Sequence, residues 1–370
     1  VGSTSPRRAR RIVLSLIGIS FAPLHRGLRP IVKHCARAPR LHGQSVAAMP
    51  LAMKQMPAAT DPLKIGTRGS PLALAQAYET RARLSAAHDL PPEAFEIVVI
   101  RTTGDNAALI AADQPLKALG GKGLFTKEIE EALASGAIDI AVHSMKDMPT
   151  AQPEGLLLDC FLPREDPRDA FVSMRYASLA DLPEGAVVGS SSLRRRAQMA
   201  NRRPDLKLVE FRGNVQTRLK KLEDGVADAT FLAMAGLNRL GKAEVARSAI
   251  GPDEMLPAVA QGAIGIERRA ADSRCADLLA AIHDGPTGLR LAAERSFLAT
   301  LDGSCETPIA GLAEILGDRL WLRGEILRPD GSEALRAEAR APLAEAAALG
   351  ADLARGLLAQ APKGFFAWKR

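Results

Sequence analysis

The residues able to do chemistry fall into small polar groups, each placed directly after a short apolar run. Thr67, Arg68 and Ser70 follow one such run, and His143, Ser144, Lys146 and Asp147 follow another. Further along, Ser190-Ser191-Ser192 lead into Arg194 and Arg195, then come Arg212 and Arg218, then Arg239. Guanidinium forks pair bidentately with carboxylates, and the free N–H groups of helix starts favour anions. Converging on one cleft, such a set would hold a small polyanion. Cys305 sits in Asp302-Gly303-Ser304-Cys305-Glu306-Thr307-Pro308, a flexible turn that leaves the thiol accessible. Facing an arginine-lined cleft, its thiolate would be favoured at neutral pH.

Each piece alone also has a plainer reading. Arg194-Arg195-Arg196 on a helix is more often a solvated face, and Arg202-Arg203 is expected to be one. Asp147 could cap a helix or pair with Lys146, and His143 at a strand end is as readily structural as catalytic. A lone Cys305 is more often an inert buried thiol. Gly120-Gly121-Lys122-Gly123 lacks the GxxxxGK[ST] pattern, which disfavours a nucleotide loop. The residues by themselves reach an anion-binding α/β protein, with a thiol enzyme left open.

The elements that must position these groups alternate apolar runs with amphipathic stretches, the pattern of an α/β fold. Strands are predicted at Leu63–Gly66, Phe95–Arg101, Ile138–His143, Ala186–Gly189, Lys207–Phe211 and Ala229–Ala233. Helices are predicted from Ser70-Pro71 to about Leu84, over Phe125–Leu133, Leu193–Ala200 and Val215–Leu222. Serine before proline is a cap followed by a residue suited to the first helical position. A third segment follows Pro286: a helix over Leu289–Leu301, strands at Pro308–Leu316, Arg319–Leu327 and Ala334–Ala339, and a helix over Leu343–Ala359. In open α/β sheets ligands bind beyond the carboxyl ends of strands, where the polar groups lie.

A chain of 370 residues is too long for one ordinary domain. Its net charge of +7 is not a property of the whole, because residues 1–60 hold ten Lys or Arg and no Asp or Glu. The remaining 39 basic and 42 acidic residues leave a body near neutrality, which argues against a nucleic-acid-coating protein. Cys35, Cys160, Cys275 and Cys305 form no CxxC pair and no zinc spacing, so no metal site is expected. Their scatter suits a reducing compartment.

Residues 1–60 read as a leader, to be left out of fold reasoning and expected to be poorly ordered. Arg7, Arg8, Arg10 and Arg11 precede an apolar run from Ile12 to about Leu24 that is too short to span a bilayer. Three origins stay open: an over-extended reading frame, with Met49, Met53 and Met56 as later starts; an organelle transit peptide; or a secretion signal with a poor cleavage site at Ser20-Phe21-Ala22.

Several longer runs carry a resemblance. They are Gly121-Lys122-Gly123-Leu124-Phe125, Ala141 to Pro149, Arg164 to Phe171, Gly189 to Arg195, Arg212-Gly213-Asn214-Val215 and Leu256 to Gly262. Together with the Gly303-Ser304-Cys305 turn they resemble, in order, the motifs of the porphobilinogen deaminase family, from Leu63 to the C-terminus. The resemblance implies two periplasmic-binding-protein-like α/β domains, 61–162 with 262–282 and 166–258, followed by a smaller α+β domain, 285–370. It implies a dipyrromethane cofactor joined to Cys305 by a thioether. Four porphobilinogen units would then be condensed head to tail, with loss of ammonia, to hydroxymethylbilane for tetrapyrrole (haem, chlorophyll) biosynthesis.

Asp147 matches the family's catalytic aspartate. Lys146, Lys122, Arg68, Arg194, Arg195, Arg212, Arg218 and Arg239 match positions that bind the acetate and propionate groups of cofactor and substrate. Ser70, His143, Ser144, Ser192, Gly213 and Gln261 match polar positions nearby. Ala118 departs from the pattern, falling where some members carry a second lysine. A cytoplasmic monomer with no nucleic-acid or membrane partner is expected, or an organelle protein of plastid or mitochondrion if the leader is a transit peptide.

Overall fold

The computed structural model describes residues 11–13, 56–102, 126–304 and 307–366. Most of residues 1–60, Lys122 with Ala118, and Cys305 therefore lie outside the described residues. Within residues 1–60, β1 (Arg11–Val13) is a strand.

The first sheet grows from β2 (Leu63–Arg68), β3 (Phe95–Ile100), β4 (Ile140–Ser144) and β5 (Leu156–Phe161). Between them run α1 (Pro71–His88) and α2 (Lys127–Ala134). The chain then builds a second sheet from β6 (Asp169–Ser173), β7 (Val187–Gly189), β8 (Lys207–Val209), β9 (Ala229–Ala233) and β10 (Ser248–Ala249). Here α3 (Leu193–Arg202), α4 (Val215–Glu223) and α5 (Met234–Arg239) follow β7, β8 and β9. Afterwards β11 (Ile264–Arg269) returns to the first sheet, followed by α6 (Ser273–Ala280).

The two sheets share one plan. The first has the order β3-β2-β4-β11-β5, with β2 parallel to β3 and β4, and β11 antiparallel to β4 and β5. The second has β8-β7-β9-β6-β10, with β7 parallel to β8 and β9, and β6 antiparallel to β9 and β10. Both therefore aim the carboxyl ends of three parallel strands, and the helix starts after them, at polar turns. Apolar side chains such as Ile65, Ile140, Ile264 and Phe95 fill the first core, and Phe171, Val188 and Phe231 the second.

The rest is α+β. Helix α7 (Gly285–Thr300) leads into the meander β12 (Ile309–Leu316), β13 (Arg319–Leu327) and β14 (Ala334–Pro342), closed by α8 (Ala346–Gln360). β1 adds in parallel to the edge of β14. Phe297 and Leu291 of α7 and Leu353 and Leu357 of α8 pack on Leu320, Leu322 and Ile326. The expected class, two α/β sheets and a smaller α+β part, is the one observed.

Several expectations change in detail. Helix α1 continues to His88 and ends where Asp89 turns left-handed at φ 52° and its N–H reaches the Ser85 carbonyl. Helix α7 starts four residues before Leu289, because Asp284 caps it by accepting from the Thr287 N–H at 2.7 Å. Arg202 and Arg203 are not a solvated face. Arg202 reaches Glu325 of β13 at 3.0 Å, and Arg203 donates to Asp205 and to the carbonyls of Leu179 and Leu182.

The chain passes between the two α/β sheets twice, and both crossings meet one carboxylate. Glu294 of α7 is fully buried and accepts from Arg164 Nη1 at 2.6 Å and Nη2 at 3.1 Å. It also accepts from the Ala260 N–H at 2.6 Å and the Ala313 N–H at 2.7 Å. The crossings bond to each other as well, through Glu165 N to Gly262 O at 3.2 Å and Arg164 Nε to Gln261 O at 2.9 Å. Gly262, at φ +90°, has its α-carbon against the Glu165 carbonyl, so no side chain fits there. Removing one partner of a buried ion pair strands the other charge, at a cost of about 3–5 kcal/mol. Glu294→Ala should therefore unfold at clearly lower denaturant, and an unchanged midpoint would mean the carboxylate carries no load.

Candidate active site

The carboxyl end of β2 delivers Arg68, and the following turn is fixed by Ser70, whose Oγ accepts from the Ala73 N–H at 3.3 Å and caps α1. Gln76, on the buried stripe of α1 with Thr80 and Leu84, donates to Ser144 Oγ at 2.8 Å. At the end of β4, Met145 sinks into the core and its N–H bonds the Ala263 carbonyl at 3.0 Å. The 3-10 turn Met145–Asp147 carries Asp147 into a cleft also lined by Arg68, Ser70, Gln76, His143 and Ser144. His143 is buried, and its Nε2 lies 3.1 Å from Glu267 Oε2 on the neighbouring strand β11.

The second sheet contributes through α3. Ser192 caps it, accepting from the Arg195 N–H at 3.5 Å, and its first turn places Arg194 and Arg195 over β6. There Asp169 meets Arg194 Nη2 at 2.8 Å, Arg195 Nη2 at 2.7 Å and Gln261 Nε2 at 2.9 Å. Arg195 Nη1 also donates to the Phe231 carbonyl at 2.8 Å, and Arg194 Nη1 to the Leu256 carbonyl at 2.8 Å. Burial alone would raise the Asp169 carboxyl, but Arg194 and Arg195 hold it well below the usual range.

Lys146 joins the two groups. Burial pushes its ammonium pKa down, Asp147 pushes it up, and then Arg195, Asp169 and Arg194 act on it in turn. The two groups are also linked through the backbone, since Met145 N–H bonds the Ala263 carbonyl and Gln261, two residues earlier, bonds Asp169. After β8, Arg218 Nε donates to the Gly213 carbonyl at 2.9 Å, and Gly213 holds φ +119° where a β-carbon would press within 2.6 Å of Thr217. Burial, then repulsion from Arg195, pushes Arg218 down to about 10. Arg212 lies 3.9 Å from Glu210. Arg239 pairs with Glu79 of α1 at 3.0 Å and donates to the Gly262 carbonyl at 3.1 Å, at the seam between the sheets.

The structure thus gathers Arg68, Ser70, His143, Ser144 and Asp147 in one cleft, with Lys146 leading to Arg194, Arg195, Ser192 and Gln261. Asp169 and Gln76 were missed by sequence reasoning. A readable trace existed for Gln76, a polar residue on the buried stripe of a helix. None existed for Asp169, whose partners come from other elements.

Asp169 also sets an acid limit. Its folded pKa lies below the ordinary unfolded value of about 3.9, so its stabilisation is complete above that value and is lost as pH falls through the depressed folded pKa. Wild-type unfolding midpoints should drop below about pH 4, and Asp169→Asn should lose stability at pH 7 while flattening that drop. Parallel pH curves for the two proteins would contradict it.

A family model described as "Porphobilinogen deaminase, dipyromethane cofactor binding domain" matches residues 63–277, and one described as "Porphobilinogen deaminase, C-terminal domain" matches residues 289–359. The chain belongs to the porphobilinogen deaminase family. Porphobilinogen deaminase of Paracoccus denitrificans (strain Pd 1222) is 70% identical over 316 residues, 85% of this chain and 100% of that protein. That of Nitrobacter hamburgensis (strain DSM 10229 / NCIMB 13809 / X14) is 56% identical over 302 residues, 82% of this chain and 94% of that one. Among solved structures, the methionine-binding protein MetQ is 13% identical with a TM-score of 0.37, covering 61% of this chain and 91% of that one. An ABC transporter periplasmic substrate-binding protein from Coxiella burnetii is 16% identical with a TM-score of 0.35, covering 63% and 96%. As a porphobilinogen deaminase, the chain is a transferase of haem biosynthesis that forms hydroxymethylbilane with a dipyrromethane cofactor.

Proposed function

We propose that condensation takes place in the cleft beside Asp147, between the first sheet and the Asp169–Arg194–Arg195 cluster. The observation that carries this is the run of bonds joining the two groups: the N–H of Met145, beside Lys146, meets the Ala263 carbonyl at 3.0 Å, and Gln261, two residues before Ala263, reaches Asp169 at 2.9 Å. The donor set suits a ligand carrying several carboxylates. Among the described residues Arg194 Nε is buried without a hydrogen-bond partner, and Arg218 is desolvated with no acid among the causes of its shift. Both would gain from an arriving anion.

Dipyrromethane, when bound, supplies the primer pyrrole to which further units are joined. Lys146, Arg68, Arg194, Arg195, Arg212, Arg218, Arg239 and Lys122 would hold acetate and propionate groups. Ser70, His143, Ser144, Ser192, Gly213 and Gln261 would order the polar surroundings. Asp147 would stabilise the cation left on porphobilinogen when the protonated amine departs. At about 4 Å and an effective dielectric near 20, such a pair is worth roughly 4 kcal/mol before desolvation. Cys305 would anchor the cofactor. Burial pushes Cys160 and Cys275 up to about 12, so neither offers a thiolate at neutral pH. The residues flanking Cys305 are bonded to each other, Ser304 N–H to Thr307 Oγ1 at 2.9 Å and Thr307 Oγ1 to Ser304 O at 2.6 Å.

Domains of 61–162 with 262–282, 166–258 and 285–370 follow from giving each sheet its own helices. We read the protein as a cytoplasmic monomer without nucleic-acid or membrane partners; among the described residues no helix is long and apolar enough to cross a membrane. Intact-mass measurement of the purified wild type is the test. A mass above the sequence by two linked pyrroles, with porphobilinogen converted to hydroxymethylbilane, supports the assignment. An unmodified chain that still turns over would end it.

A further inference from the structure

We propose that Glu267, which lies outside the cleft, is a positioning residue for it. Its carboxylate accepts a hydrogen bond from His143 Nε2–H and so leaves Nδ1 as a hydrogen-bond acceptor toward the cleft of Asp147. This deepens the reading of the cleft as the condensation site and rests on it.

The sheet register builds the contact. β11 runs antiparallel to β4 with Glu267 opposite Ala141 and Gly265 opposite His143. Alternation puts Ala141, His143, Gly265 and Glu267 on one face. Gly265 offers no side chain there, and its α-carbon is already covered by the Met145 thioether, so the imidazole leans diagonally to Glu267. Both side chains are buried, at 4% and 0% exposure, which makes solvent no alternative partner for Nε2. His143 nevertheless lines the same cleft as Asp147, Arg68 and Ser144. Among the described residues the His143 ring makes no other hydrogen bond. A carboxylate on one ring nitrogen fixes which nitrogen keeps its lone pair. An acceptor of this kind suits a pyrrole N–H or an ammonium group of porphobilinogen.

The charges around the pair agree with a single carboxylate doing this. Glu130 of α2 faces Glu267, and burial followed by Glu267 raises its pKa, so it keeps its proton more readily than an ordinary glutamate. Glu267 also acts electrostatically on Arg295 of α7, whose Nη2 is tied to the Pro149 carbonyl at 2.8 Å. Arg269, next on the same face, is occupied by Asp139, Asp272 and the carbonyls of Leu133 and Ile138. With Arg269 tied up elsewhere, Glu267 is the carboxylate that bonds the histidine. Behind a metal-bound imidazole, loss of such a partner costs about tenfold to a hundredfold, and the lower end of that range is expected here.

Two measurements decide it. Histidine-selective 15N NMR of the purified holoenzyme, with the His143 signal assigned by its loss in His143→Gln, should give a ring protonated at Nε2 and unprotonated at Nδ1. Glu267→Gln can donate or accept at Nε2, so it should blur that pattern and lower kcat by about tenfold or more with KM within about twofold. A wild-type ring protonated at Nδ1 would overturn the proposal. So would a folded Glu267→Gln with wild-type kcat. If Asp147→Asn is inactive in that second case, only the role of Glu267 falls; if Asp147→Asn is fully active too, the cleft itself is misassigned.

Discussion

Asp147→Asn is expected to cut the rate of ammonia release by about two to three orders of magnitude while leaving the fold intact. Asparagine has nearly the same shape, so the 3-10 turn Met145–Asp147 and the burial of Met145 beside it should persist. What disappears is a negative charge beside a forming cation. A loss of roughly 4 kcal/mol would be close to a factor of a thousand, since each 1.36 kcal/mol is about tenfold. There is also an indirect effect. Asp147 is the largest influence holding up the Lys146 ammonium against burial, so its loss pushes Lys146 further down. Single-turnover ammonia release separates the two: charge loss lowers the rate at every pH, whereas a neutralised Lys146 costs most at high pH. A variant with wild-type single-turnover rates would remove Asp147 from the chemistry.

Cys305→Ser should give a folded protein whose mass equals its sequence and which forms no hydroxymethylbilane. A serine hydroxyl is far less acidic than a thiol and a weaker nucleophile at neutral pH. Neither remaining described thiol can take over. Cys160 Sγ sits 3.4 Å from the Leu279 carbonyl and Cys275 Sγ 3.7 Å from the Asp139 carbonyl, both in the core of the first sheet. Unfolding curves should barely change, because the residues on either side stay joined through Ser304 and Thr307. A dipyrrole still covalently bound in the variant would refute Cys305 as the anchor.

How much of this could be read beforehand depends on the range of the interactions. The caps at Ser70, Ser192 and Asn214 are local, each side chain accepting from an N–H three residues on, and the helices they start were legible. So was the meander of the third sheet, whose strands are eight or nine residues long. Strands β5, β6 and β11 escaped. β6 is buried throughout and begins with an aspartate, and β11 carries Glu267 and two arginines, so neither shows a clean two-residue period. Within the site, the cationic groups were visible and the acids that organise them were not. His143 and Glu267 are 124 residues apart in sequence, and Arg164 and Glu294 130 apart. No local spacing encodes a partner at that range.

The Glu294 junction constrains how room could be made for a lengthening product. Because both passages between the α/β halves bond to one carboxylate on α7, any movement that parts those halves there has to break bonds to Glu294. The same helix ends at Thr300, five residues before Cys305. A cofactor anchored at Cys305 would thus be joined, by a short length of chain, to the very helix that fastens the two halves.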